Sequence, residues 1–391
     1  MLAVPVSPSD NAGDQESKRE HAISTGSADR RIPSLDGLRA VSIAMVIVAH
    51  SHWFLPISVQ NSLAFRSIIG GGRSGVAVFF VISGYLITSL LRKELKKTND
   101  ISLKRFYFRR SLRIFPPYYF LLAVLAVFWI IGWIPENMPS FLSAATYTFA
   151  LYPSASGYYI GHSWSLSIEE LFYIFWPLTL AIGHRRQRAV HVAIALILLM
   201  PVVRLALYFL APPLRGHENF MVQGWVDTMM IGCMLALVKG RPEWEQIHRR
   251  ILKPWTVAVL TFIGFFLLPA LLIWLPKKVS SVFDLALKPT LLALCIGGIL
   301  VYLIENPSGV VGRILNNPVV RHIGVLSYSL YLWQQLFMSE KLNLLPYGYL
   351  YVFVAAEFSY WVVERPSLRL RGVLEQRFMR TEAVSQGGAL R

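Results

Sequence analysis

The sequence predicts an all-α, polytopic integral membrane protein with about ten transmembrane helices. Hydrophobic residues make up 54% of the 391 residues and charged residues only 15%, whereas a soluble domain carries roughly 25% charged residues. The apolar residues also form long runs. Those at 189–210, apart from Arg204, and at 291–304 approach the ~20 residues that a helix needs to cross a bilayer. This composition argues against both a disordered chain and a soluble one.

The first 31 residues differ from the rest of the chain. They are rich in Ser, Asp, Gly and Glu and lack the apolar segment of roughly 7–15 residues that signal peptides contain. We therefore predict a disordered cytoplasmic tail. Ten apolar stretches follow, at about 40–56, 75–91, 115–134, 165–182, 189–211, 222–238, 255–275, 284–304, 323–338 and 343–363.

The Lys and Arg residues predict how these stretches are oriented. Ten spans place both termini on one side, and that side holds 30 of the 38 Lys and Arg residues while the other holds six. Because cytoplasmic loops retain basic residues, both termini are predicted to be cytoplasmic. The net charge of +16 thus mostly reports topology. The nine basic residues at 92–113 are more than are needed to orient the chain in the membrane, and they could also attract an anionic ligand or lipid headgroups.

The two cysteines, Cys233 and Cys295, lie in separate apolar runs, without the clustered spacing of a zinc site or a disulfide framework. We expect both to be packing residues. No metal site and no bound cofactor are predicted.

Arg39 and His50 are ionisable residues at the edge and in the interior of the first apolar stretch. Eleven positions make about three helical turns, so both side chains lie on one helix face, about 16 Å apart. Imidazole is suited to accept and return a proton near neutral pH, and we predict a functional His50. The alternative is a histidine that serves only a polar helix contact.

Arg109 and Arg113 lie four positions apart, just before Pro116 and Pro117. Arginine binds phosphate through a bidentate fork, and a helix that begins beside them would add its positive dipole end. This pattern predicts an anion site. The alternative is a pair of lipid anchors at the membrane surface.

The segment 161–177 opens a predicted span with two adjacent carboxylates, Glu169 and Glu170. Ser165, Glu169 and Tyr173 share one helix face and form a polar stripe, which predicts an interior position. A hydrogen-bond ladder between helices is the alternative. Asp227 and Glu364 are further buried or rim carboxylates for which spacing assigns no partner.

Ser83 and Gly84 interrupt another apolar run. Glycine within a span permits close helix packing or local unwinding beside a cavity, and the sequence leaves both open.

Four motifs resemble the acyltransferase-3 family of membrane acyltransferases. They are SLDGLRAVSIAMVIVAH at 34–50, FFVISGYLI at 79–87, RRSLRIFPPYY at 109–119 and SWSLSIEELFYIFWP at 163–177. The resemblance covers about 32–370, followed by a basic cytoplasmic tail at 371–391. It implies a ten-helix membrane domain that transfers an acyl group, usually acetyl from acetyl-CoA, to a hydroxyl of a carbohydrate. Because no esterase-like domain follows residue 370, we expect a stand-alone member of the family. The implied acceptor is a cell-surface or exported glycan such as a lipopolysaccharide or exopolysaccharide, and the implied location is the bacterial inner membrane.

The resemblance also assigns residues. Arg39 and His50 match the family's Arg/His motif, while Arg109, Arg113 and Tyr118 match its Arg-rich motif and Ser83 with Gly84 its Ser-Gly-aromatic element. Two positions depart from the pattern. Gln334 stands where histidine is common, and Trp225 where an arginine often precedes Asp227.

The resulting hypothesis places the nucleotide of acyl-CoA at Arg39, Arg109 and Arg113, with Tyr118, Ser83 and Gly84 also contributing to donor binding. His50 is the expected general base, and Glu169 or Glu170 is expected to orient it or a neighbouring group. A covalent acyl-histidine or acyl-serine relay is the alternative route. The rival functions are a transporter or flippase of an acylated or lipid-linked glycan, weakened by the lack of an internal repeat, and a non-catalytic scaffold.

Overall fold

The computed structural model describes residues 32, 34–62, 65, 72–152, 157–182, 186–217 and 220–375. The predicted tail at 1–31 and most of the tail at 371–391 lie outside these ranges. Every regular element in the described part of the chain is helical, which confirms the all-α prediction there. The α-helices of six or more residues in these ranges are α1 Leu35–His50, α2 Arg73–Thr98, α3 Leu103–Ile130, α4 Met138–Ala145, α5 Ser163–Ile182, α6 Arg186–Leu210, α7 Val226–Val238, α8 Pro242–Ile251, α9 Pro254–Trp274, α10 Lys277–Ala286, α11 Lys288–Glu305, α12 Val310–Leu315, α13 Pro318–Phe337 and α14 Gly348–Ser359.

Six helices within these ranges are long and apolar enough to cross a membrane, namely α2, α3, α5, α6, α9 and α11. The other four predicted stretches coincide with α1, α7, α13 and α14. Helix α1 has 16 residues and α7 has 13. Helix α14 has 12 residues and continues directly into the π-helical turn Tyr360–Glu364, while α13 has 20 residues but carries Arg, His, Ser, Tyr and Gln side chains. The prediction of about ten spans is therefore not confirmed, although each predicted stretch is helical.

Helix α3 differs from its prediction. It begins at Leu103, where the Ser102 side chain accepts a hydrogen bond from the backbone N–H of Arg105, and it continues through Pro116 and Pro117 to Ile130. The predicted helix start beside these prolines is therefore wrong, because the Arg-rich segment is itself helical. Arg109 and Arg113 lie inside the helix, so they gain nothing from its N-terminal dipole end.

Glycines allow the helices around the site to approach closely. A Cβ atom at Gly84 of α2 would lie 2.1 Å from the carbonyl oxygen of Met229 in α7, and one at Gly232 would meet Val81 in return. A Cβ atom at Gly75 of α2 would similarly lie 2.6 Å from the carbonyl oxygen of Ser42 in α1. Helix α2 is thus held between α1 and α7, and α13 packs along the other side of α1.

Candidate active site

Two cavities meet at Tyr331 of α13 and Val76 of α2, which line both of them. The larger, of about 650 Å³, contains His50 and is called the His50 cavity. The smaller, of about 90 Å³, contains three arginines and is called the arginine cavity. The Tyr331 hydroxyl lies at the boundary, 2.5 Å from Ser165 Oγ and 3.4 Å from the carbonyl oxygen of His162.

The arginine cavity is lined by Arg39 at the start of α1 and by Arg110 and Arg113 on α3. Arg39 lies 3.5 Å from Asp36, whereas neither Arg110 nor Arg113 has a carboxylate within ion-pair distance in the described ranges. Glu169 is the only acidic side chain among the described residues of the lining. The three guanidinium groups exceed the two carboxylates, Glu169 in the lining and Asp36 beside Arg39, so the site carries a net positive charge that favours an anionic ligand.

Glu169 belongs to this cavity and is bound there. It accepts hydrogen bonds from the hydroxyls of Ser83 and Tyr173, and the Arg110 guanidinium lies 4.8 Å from the centre of the Tyr173 ring. The predicted polar stripe of Ser165, Glu169 and Tyr173 therefore does face the interior. Its carboxylate orients the hydroxyls of the arginine cavity.

Four of the predicted site residues lie outside both cavities. Arg109 forms an ion pair with Glu375 on the protein surface. Gly84 serves helix packing, as described above. The Tyr118 hydroxyl donates to the carbonyl oxygen of Ala144 at 2.9 Å, and its oxygen lies 3.0 Å from Ser163 Oγ. Glu170 lines neither cavity. Their predicted roles in donor binding and catalysis have no matching position here and stay predictions.

Arg110 was missed by the sequence analysis. Arg110 and Arg113 are three positions apart and Arg109 and Arg113 four, and both spacings place two side chains on one helix face. Spacing alone could not decide between Arg109 and Arg110. The choice depends on which side of α3 packs against α5 and α13.

His50 lies at the C-terminal end of α1, and each of its two ring nitrogens contacts a polar atom of another residue. Its Nδ1 is 2.8 Å from the carbonyl oxygen of Val46, and its Nε2 is 3.4 Å from the side-chain nitrogen of Gln335. These two are its hydrogen-bond partners within the described part of the chain, so neither Glu169 nor Glu170 orients it directly. The orienting groups are a backbone carbonyl and an amide.

A second imidazole, His162, lines the same cavity. Its Nδ1 is 2.6 Å and its backbone nitrogen 2.9 Å from Gln335 Oε1, while its Nε2 is buried with no hydrogen-bond partner in the described ranges. Burial lowers the pKa of His162 to about 4, so the ring is neutral at pH 7. The sequence analysis missed both His162 and Gln335.

Asp227 has a partner that spacing could not identify. The guanidinium of Arg204, from α6, donates to Asp227 Oδ1 at 3.0 Å and to Oδ2 at 2.9 Å, and also to Thr290 Oγ1 at 2.9 Å. Arg204 is 2% exposed and Asp227 0%. This ion pair joins α6, α7 and α11 away from the two cavities, which makes it a structural feature of the fold.

Glu364 and Gln334 are also buried. Glu364 accepts a hydrogen bond from Ser329 at 3.1 Å. Gln334 lines neither cavity, and its amide atoms have no hydrogen-bond partner in the described ranges. Nor do three metal-ligating His, Cys, Asp or Glu side chains converge within those ranges.

Comparison with known proteins extends this picture. The family model described as an acyltransferase domain matches residues 32–359. The peptidoglycan O-acetyltransferase OatA of Listeria monocytogenes serovar 1/2a is 28% identical over 332 residues, which cover 77% of this chain and 48% of the relative. The O-acetyltransferase OatA of Staphylococcus aureus NCTC 8325 is 27% identical over 339 residues, covering 78% and 50%. The chain thus spans about half the length of these curated relatives, and no solved structure matches it.

Proposed function

We propose that this chain, which belongs to the acyltransferase-3 family, transfers an acyl group from an acyl-CoA to a hydroxyl of a carbohydrate. The match to the family model confirms the family that the four motifs predict. The chain's membrane helices make it a multi-pass membrane protein. One observation carries the proposal. A basic cavity and a cavity lined by the imidazoles of His50, His162 and His217 share the side chain of Tyr331 as part of their walls.

The donor would bind through the arginine cavity. Acyl-CoA carries a polyanionic nucleotide, and the guanidinium groups of Arg110 and Arg113 have no carboxylate partner among the described residues, so their donors are available for phosphate. Arg39 completes the site at the start of α1. The predicted cytoplasmic position of this end of α1 matches the compartment in which acyl-CoA is made.

The acyl group would then reach the His50 cavity past Tyr331. There the acceptor hydroxyl oxygen attacks the thioester carbonyl carbon, the C–S bond breaks, and CoA leaves as a thiolate. The hydroxyl proton passes to His50 Nε2, which returns it to the thiolate. The direct route uses no acyl-enzyme, whereas a covalent relay through His50 is the alternative chemistry for the same cavity.

A carbohydrate acceptor is supported by the walls of the His50 cavity and by the relatives. Tyr158, Trp164 and Phe220 supply aromatic surface, on which the apolar faces of a sugar ring can pack. The Listeria relative is named for O-acetylation of peptidoglycan. We infer a glycan displayed or exported by the cell as the acceptor and acetyl as the acyl group, in a bacterial inner membrane.

The test follows labelled acetyl from acetyl-CoA into glycan, using membranes that contain equal amounts of wild type or a variant. We expect His50→Ala to lower transfer by about 10²- to 10⁴-fold, because general-base catalysis contributes that much. Arg39→Ala should raise the acetyl-CoA concentration needed for half-maximal rate. His52→Ala is the matched control, since the His52 ring is exposed and lines neither cavity.

Undiminished transfer in His50→Ala would contradict the general-base role. Absence of transfer in the wild type, together with movement of unmodified glycan across the membrane, would favour the transporter function instead.

A further inference from the structure

We infer that Gln335 is a positioning residue that holds His50 in its proton-accepting tautomer and that His162 fixes the Gln335 amide in the orientation this requires. The inference rests on the proposed function, because it concerns the same cavity and the same base. It assigns roles to two residues, 173 positions apart in sequence, that the motifs leave without one.

The orientation of the amide follows from one backbone group. The backbone N–H of His162 lies 2.9 Å from one side-chain atom of Gln335. A backbone N–H can only donate, so that atom is the oxygen, and the reversed amide would place two donors face to face. The NH₂ group of Gln335 is therefore the group that faces His50, at 3.4 Å from Nε2.

The tautomers of both imidazoles follow from the amide. His162 Nδ1 lies 2.6 Å from the same oxygen and must carry the hydrogen. Because Gln335 offers an N–H to His50 Nε2, that nitrogen must be unprotonated, and His50 Nδ1–H donates to Val46 at 2.8 Å. His50 thus presents its lone pair at Nε2. The amide contact there is long, so an acceptor hydroxyl can replace it.

His162 can serve as the fixed point of this network because it is neutral and tightly held. Its side chain is 2% exposed, and both its ring Nδ1 and its backbone nitrogen bind the same oxygen. The two bonds approach Gln335 from one residue at the start of α5. Rotation of the amide would break both of them, so the arrangement selects one amide orientation.

The surroundings of His50 determine how a charge at position 335 would act. The titratable or charged side chains near it are His52 on the following turn, Arg73 at the start of α2, His162, and Tyr152, Tyr158, His217 and Tyr331 of the cavity wall. No carboxylate lines this cavity in the described part of the chain. A glutamate at position 335 would therefore introduce its first negative charge.

The test is Gln335→Glu, a nearly isosteric change. A carboxylate accepts the two His162 bonds as the amide oxygen does, but it offers His50 Nε2 an acceptor instead of a donor. The protonated imidazole is then favoured, and His50 acts as a base only at higher pH. We expect the pH profile of acetyl transfer to shift upward by about one unit or more, with roughly tenfold less transfer at pH 7 and recovery at alkaline pH.

The matched control is Gln60→Glu, the same substitution at a glutamine that lines neither cavity and binds only the Leu55 carbonyl in the described ranges. Its profile should equal that of the wild type. A rate lowered equally at all pH values in Gln335→Glu, or a wild-type profile, would overturn the inference and leave the proposed function intact. No transfer by the wild type would contradict the proposed function and this inference with it.

A second pair of variants decides the point if Gln335→Glu does not accumulate. His162→Asn keeps a side-chain N–H donor for Gln335 Oε1, whereas His162→Ala removes it. We expect His162→Asn to retain transfer within a few-fold of the wild type and His162→Ala to lose about tenfold or more. Equal activity of the two variants would show that the bond to Gln335 does not position His50.

Discussion

Arg110, rather than its neighbour Arg109, is expected to determine how strongly the chain binds acyl-CoA. Arg110 lines the arginine cavity without a carboxylate partner among the described residues, and its guanidinium is held over the Tyr173 ring at 4.8 Å. Arg109 forms a surface ion pair with Glu375 instead, and its side chain is 40% exposed. The two residues are adjacent and identical in chemistry, so substituting each by Gln gives a matched comparison.

The expected magnitude follows from the contact that is lost. A charge-assisted hydrogen bond contributes about 1.5–3 kcal/mol, and 1.4 kcal/mol is tenfold in affinity. Arg110→Gln should therefore raise the half-saturating concentration of acetyl-CoA by about 10- to 150-fold. Arg109→Gln removes a surface ion pair, for which about 0–1 kcal/mol is usual, and this loss affects stability rather than donor binding.

The assay is the initial rate of acetyl transfer against acetyl-CoA concentration, with purified protein in vesicles at constant ionic strength, because salt screens exposed charges. The expected result is a raised half-saturating concentration for Arg110→Gln with a smaller change in maximal rate, and near wild-type values for Arg109→Gln. The reasoning is refuted if Arg109→Gln weakens donor use as much as Arg110→Gln does.

Three further predictions concern residues whose position in the structure separates packing from chemistry. Gly84→Ala should lower the thermal unfolding midpoint in detergent, because its Cβ would lie 2.1 Å from the Met229 carbonyl oxygen and must push α2 from α7; an unchanged midpoint would argue against this close crossing. Asp227→Ala should lower the free energy of unfolding by about 3–5 kcal/mol, because it leaves the buried Arg204 without its carboxylate. The double variant Asp227→Ala with Arg204→Met should recover part of that stability. A coupling energy near zero in this double-mutant cycle would contradict the ion pair. Tyr118→Phe should destabilise the fold by about 1 kcal/mol through lost hydrogen bonds to Ala144 and Ser163 without changing the half-saturating acetyl-CoA concentration, whereas a weakened donor affinity would favour the donor-binding role.

The helical stretches were predictable from sequence because apolar runs long enough for a bilayer leave few alternatives to a helix. Their ends were less predictable. The segment from Leu103 to Arg113 is too charged to read as part of a span, yet it is the first part of α3. Tertiary packing determines where its side chains lie, as it does for Arg110 in the arginine cavity, and amino-acid composition contains no information about that packing.

The site was predictable to the extent that its residues are conspicuous. Arg39, His50 and Glu169 are ionisable groups in apolar surroundings, and each lines one of the two cavities. Gln335 is uncharged and follows another glutamine on α13, and its partner His162 is 173 residues away in sequence. A network formed by hydrogen bonds across such a distance leaves no periodic signal along the chain. The ion pair of Arg204 with Asp227 was not predicted for the same reason, because it joins different helices and leaves no periodic signal.

The two cavities also bear on the choice between acyl transfer and transport. Passage of a glycan from one cavity to the other would require Tyr331 to move, and its hydroxyl is bound to Ser165 at 2.5 Å on the neighbouring helix α5. The arginine cavity, at about 90 Å³, is roughly seven times smaller than the His50 cavity at about 650 Å³. The thin, extended arm of an acyl-CoA needs only a narrow passage beside this side chain. A sugar ring passing through the protein would need a passage wide enough for the ring along its whole length. The unequal cavities with a tyrosine between them therefore favour a donor and an acceptor that meet from opposite sides.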